Sequence, residues 1–78
     1  MPRYYFDVTD EEKHQDQDGT ELRDDAQARI QAIIFAGEYL RDHPSLVWDG
    51  HRFSVRVADD AGKQLFHLKV EAVSSERP

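Results

Sequence analysis

Two alternating runs joined by one short turn constrain this chain more than anything else in it. HRFSVRVA, residues 51–58, puts Phe53, Val55 and Val57 on one face and Arg52, Ser54 and Arg56 on the other. KQLFHLKV, residues 63–70, puts Phe66, Leu68 and Val70 on one face and Leu65, His67 and Lys69 on the other. Such period-two alternation marks strands with one buried face. DDAG, residues 59–62, lies between them, with Gly62 where a tight turn wants positive φ. Pairing Ala58 with Lys63 sets Val55 opposite Phe66 and Phe53 opposite Leu68. Both apolar sets then share a face, so a β-hairpin facing a core is expected.

The rest of the chain supplies a third long strand and a helix. RYYFDVT, residues 3–9, alternates Tyr4, Phe6 and Val8 against Tyr5, Asp7 and Thr9. Residues 10–21 are polar and read as a surface loop, with room for a short strand at Thr20–Leu22 that pairs back onto the first. Asp24 is a good N-cap, Gln27 completes a capping-box pattern, and Asp25 suits the positive end of the helix dipole. The helix is expected to run to about Asp42, because Pro44 turns the chain off and pushes His43 towards an extended conformation. At helical spacing, Ala26, Ile30, Ile33, Gly37 and Leu40 form one stripe, with Ile34 at its edge, and this stripe is assigned to the sheet. Gly37 inside a helix costs about 1 kcal/mol relative to Ala, for which close approach to a strand is the expected compensation. SLVWDG, residues 45–50, reads as a loop ending in an Asp49-Gly50 turn, with Val47 or Trp48 folding back over the core.

These elements predict a single α+β domain over residues 1–71 and a frayed tail over 72–78. The order is β-α-β-β: one helix on a small antiparallel sheet, in two layers. The strand near residues 63–70 is expected in the middle, giving strand order 1-3-2 and a right-handed helical crossover.

Composition narrows the function. Seventy-eight residues make one domain with a small core, and no Cys is present to staple it or to bind structural zinc. The longest apolar run, Ala32 to Ala36, is far below a membrane span, and the N-terminus lacks a signal-peptide core, so a soluble cytoplasmic protein is expected. Ten basic against 16 acidic residues give a net charge of −6, which argues against generic nucleic-acid or membrane binding.

Met1-Pro2-Arg3-Tyr4, Asp18-Gly19-Thr20-Glu21-Leu22 before an acid-capped helix, Asp49-Gly50, Arg52-Phe53 and Asp60-Gly62 at the hairpin turn carry a resemblance. Over about residues 1–70 the chain resembles a family of short bacterial proteins of unknown function. Where this chain has His51, members of that family often carry an aromatic residue, a role Trp48 is placed to fill. The resemblance implies the fold and no activity. The strand, acidic loop and helix start also bear a fainter similarity to HicB-type antitoxins, whose strand layout and glycine pattern differ.

HQDQDGTELRDD, residues 14–25, approaches a calcium loop. Aligning Gly19 with the invariant glycine puts His14, a nitrogen donor, where a hard oxygen is needed, and Asp25 where a bidentate Glu belongs. Asp25 is also needed by the helix start, so the stretch is read as a turn, and neither metal nor cofactor is expected. The four His fit no ligand spacing, and no serine sits in a nucleophile elbow or glycine in a phosphate loop. An enzyme is therefore not expected.

Two surfaces are left. Phe35 and Tyr39, flanked by Ala28 and Ala32, are expected on the back of the helix as a patch for self-association or an unidentified protein partner. Tyr5, Arg52, Arg56, His67 and Lys69 are expected on the outer face of the sheet, where aromatic and basic groups can hold nucleic acid. The leading reading is a small non-enzymatic binding or assembly module, homodimeric through the helix back; the alternative is a regulatory domain that contacts nucleic acid. The turn reading predicts that calcium at millimolar concentration leaves the melting temperature unchanged. A site filled a hundredfold over its Kd would add about 2.7 kcal/mol, so a rise of several degrees refutes it.

Overall fold

The computed structural model describes residues 2–10, 12–47, 52–73 and 75. Strand β1 is Arg3–Thr9, β2 Lys13–His14, β3 Thr20–Glu21, helix α1 Asp25–Asp42, β4 Arg52–Asp59 and β5 Gln64–Glu71. The class is α+β, as the pattern predicts: one helix on an antiparallel sheet of five strands. The short strand at Thr20–Glu21 does pair back onto β1, and Val47 does lie against the core. Trp48, the Asp49-Gly50 turn and His51 lie outside the described residues, as do residues 74 and 76–78 of the expected tail. No helix among the described residues is long and apolar enough to cross a membrane.

The strand order is β2-β1-β4-β5, so β4, and not β5, lies in the middle. Order 1-3-2 is thus corrected. Phe53, Val55 and Val57 of β4 are fully buried, which suits a strand covered by the helix and flanked on both edges, whereas Phe66, Leu68 and Val70 of β5 are half-buried. β1 and β4 run antiparallel. The rule of right-handed crossovers governs parallel strands and has nothing to act on here.

The hairpin register also moves by two residues. Ala58 pairs with Gln64, Val57 with Phe66, Val55 with Leu68 and Phe53 with Val70. The Asp59 N–H donates to the Lys63 carbonyl at 3.0 Å, and Asp59 Oδ1 accepts from the N–H groups of Ala61 and Lys63. The Asp59 side chain thus extends the turn, and Leu65 is the extra residue of a β-bulge. An even shift plus the bulge keeps both apolar sets on the core face.

The helix starts and stops where its caps predict. Asp24 Oδ1 accepts from the Gln27 N–H at 2.9 Å, and Gln27 Oε1 accepts from the Arg23 N–H at 2.8 Å. At the other end, the His43 N–H reaches the Tyr39 carbonyl at 3.0 Å. The face it buries is not the expected one, of whose stripe Leu40 alone packs against the core. Ala28, Ala32 and Ala36 are 1%, 0% and 3% exposed, with Phe35 and Tyr39 packed beside them. Ile30, Ile33 and Ile34 are 59%, 54% and 48% exposed, and Gly37 has no neighbour within 4 Å of an added Cβ. The Tyr4 hydroxyl, donating to Asp25 Oδ1 at 2.7 Å, holds this rotation. Once Asp25 faces β1, residues 28, 32, 35, 36 and 39 follow towards the sheet at helical spacing.

The orientation has a direct test in urea unfolding at low protein concentration. Ala32→Leu is expected to destabilise the fold by about 1–3 kcal/mol through overpacking. Gly37→Ala is expected to stabilise it by up to about 1 kcal/mol, because an exposed helical glycine gains propensity and meets nothing. The reverse pair of signs restores the isoleucine stripe to the core.

Candidate functional site

The outer face of the sheet gathers the residues assigned to it. Arg56 pairs with Asp7 on β1 and His67 on β5, Ser54 with Lys69, Tyr5 with Ala58, and Arg52 with Glu71. The cluster is only partly basic. Arg52 Nε lies 3.2 Å from Glu71 Oε2, and Asp7 stands beside Arg56. His67 has its pKa lowered by burial, then by Arg56 and Lys69, so this histidine adds little positive charge near neutral pH.

Ala28 and Ala32 are buried in the core beneath α1, and Phe35 and Tyr39 pack half-buried against it, so the interface assigned to these four is corrected. Tyr39 stacks on Phe53 with ring centroids 5.1 Å apart and meets Phe35 edge-on at 5.9 Å. Hydrophobic patterning places these aromatic side chains at the surface because the isoleucines outrank them in hydrophobicity.

The acidic loop seals one edge of the sheet. β2 pairs with the end of β1 at Val8 and Thr9, and β3 with its start at Arg3 and Tyr4. Asp16 fills the gap between them: its carboxylate accepts from the N–H groups of Phe6, Asp18 and Gly19 at 3.1, 3.1 and 3.0 Å. Gly19 sits at φ 73°, and an added Cβ there would lie 2.8 Å from Arg3 Cγ and 2.9 Å from Tyr5 Cε2. An open groove of about 550 Å³ runs between this loop and α1, lined by Phe6, Val8, Gln31 and Phe35 among others. Along it the Tyr39 hydroxyl donates to Asp10 Oδ2 at 3.3 Å, and His14 Nε2 lies 3.4 Å from Asp10 Oδ1.

Two features remain open. The far edge of the sheet is β5, which has a strand partner on one side only among the described residues. The second is the exposed isoleucine face of α1, which periodicity alone does not single out because apolar residues run round most of this helix and admit two stripes. The signal that separates them is Tyr4, whose hydroxyl needs a partner when buried.

With this geometry in view, residues 3–71 match the family described as a domain of unknown function, DUF6894. The chain belongs to the DUF6894 family. No curated protein and no solved structure matches it. The DUF6894 match spans every strand and the helix, including the open β5 edge and the isoleucine face.

The loop also sets an acid limb. Partial burial works against ionisation of Asp16, but the N–H groups of Gly19, Phe6 and Asp18 and the charge of Arg3 outweigh it and hold its pKa below the ordinary 3.8. Asp10 is lowered too, chiefly by the Glu12 N–H, against its burial and with help from His14 and Tyr39. Stability from such groups is complete above the unfolded pKa and is lost as pH falls through the folded one. Urea unfolding is therefore expected to show stability declining below about pH 4. Asp16→Asn is expected to lower stability at neutral pH and to flatten that decline; an unchanged acid slope in this variant assigns it elsewhere.

Proposed function

We propose that this domain is a non-enzymatic binding and assembly module that acts through the exposed face of α1. The observation that supports it is the half-exposed set Ile30, Ile33 and Ile34. Scattered apolar residues on a surface are ordinary, but three isoleucines on adjoining turns make a patch, and patches of this kind meet partners. Fully burying one such side chain is worth about 1.5–3 kcal/mol, so covering three that are already half-buried gains on the order of 3 kcal/mol before association costs. The carboxylates of the groove, committed to backbone N–H groups, favour a structural role over acid–base chemistry.

Nucleic-acid binding by the outer sheet has weaker support. Arg56, His67 and Lys69 adjoin, but Asp7 and Glu71 stand among the cations and the chain carries −6 overall. A photo-crosslinking amino acid at Ile33, compared with one at Arg56, separates the two readings in cells expressing the chain. The expected result is a discrete protein adduct from position 33 and none from 56. Adducts containing RNA or DNA from 56, with none from 33, reverse the order. Ile33→Glu is expected to change unfolding free energy by no more than about 0.5 kcal/mol at low concentration, while abolishing the adducts formed through this face.

A further inference from the structure

We propose that the partner on this face is a second copy of the chain, joined β5 to β5 in antiparallel fashion, with the two α1 helices side by side above one continuous sheet. This rests on the reading of the helix face above and adds the identity of its occupant. The two edges of the sheet are treated differently. β1 is closed by β2, β3 and the Asp16 carboxylate, whereas β5 presents eight residues with one edge bare among the described residues. A bare edge that is long and carries no proline is a template for another strand. Its inward side chains, Phe66, Leu68 and Val70, are half-buried because the helix rides over β4 and only leans on β5.

The helix face and the bare edge are neighbours. Arg29 reaches over Phe66, its guanidinium carbon 5.8 Å from the ring centroid, so the flank of α1 carrying Arg29 overlooks β5. Ile33 stands one turn further along that flank, since residues four apart share a helix face. Gly37, one turn on again, has open space around it. A standard interface takes roughly 800 Å² from each partner. Half-exposed Ile33 supplies a small part of that, and the adjoining β5 edge with its half-buried apolar side chains supplies the kind of surface still needed.

The spacings agree. Pairing the β5 edges sets the two β4 strands three strand spacings, roughly 14 Å, apart. Helices above β4 that lean over β5 then approach the roughly 8–10 Å at which helix pairs pack, with the flanks that carry Arg29 and Ile33 facing each other. The arrangement is isologous and closed, since one patch serves both copies and both outer edges are the sealed β1 side. It also enlarges a core that, among the described residues, consists of eight side chains, three of them alanine.

Sedimentation equilibrium and hydrogen exchange on the full chain test this together. At tens of micromolar the protein is expected at twice its chain mass, with the outward-pointing amides of β5 protected and their protection fading on dilution. Ile30→Glu with Ile33→Glu is expected to sediment at the chain mass, with β1 and β4 amides still protected and the outward β5 amides fast. Should that variant unfold, the dilution series on the parent protein decides alone. A parent that stays at the chain mass to hundreds of micromolar overturns the self-pairing and leaves the helix-face reading intact. A dimer whose outward β5 amides exchange freely overturns the edge contact. A dimer that persists in the folded double variant overturns the helix-face reading as well.

Discussion

A face of alanines lying on a strand of larger side chains is the contact on which this fold depends. Ala28, Ala32 and Ala36 approach Phe53, Val55 and Val57 closely enough that all six are buried. The sheet brings the volume and the helix brings proximity. Tyr4 completes the arrangement from β1, filling space beneath the helix while its hydroxyl donates to Asp25. That hydrogen bond, with burial and the charges of Asp25, Asp24 and Asp59 behind it, pushes the phenol up to about 12. Tyr4 therefore stays neutral and a donor across the working pH range, and the rotation of α1 is held with it.

From that rotation the surfaces follow. With alanines and aromatics turned inward, the isoleucines must face out, where they form the largest apolar feature of the helix. The helix sits over β4, so β5 is left half-covered and its outer edge bare, while the acidic loop closes the edge beyond β1. The candidate interface is thus a by-product of how the core packs, in a domain whose core is small enough to profit from a partner.

Several parts of the site were legible in the residues alone. The outer sheet face, with Tyr5, Arg52, Arg56, His67 and Lys69, follows from alternation, which survives a two-residue register shift because parity is all that a face requires. The role of Asp16 was not legible, since nothing in HQDQDG says which acid will cap the gap between two short strands and accept from the Phe6 N–H 10 residues away. Of the stripe that hydrophobicity assigns to the sheet, Leu40 alone packs against the core. Hydrophobicity ranks Ile above Ala, yet a contact limited by distance rewards the smaller side chain.

The chain by itself determined the long strands, the helix and their ends. Asp24 and Gln27 set the helix start, Pro44 its exit, alternation the strands, and Asp59 to Gly62 the turn, because each of these is a local matter of caps, φ and period. Tertiary structure decided which strand is central, which register the hairpin takes and which side of α1 meets the sheet. Those choices turn on summed packing between segments far apart in sequence: Tyr4 with Asp25, Ala32 beside the β4 side chains, Tyr39 on Phe53. No local pattern contains that sum, and here it turned the isoleucines to solvent.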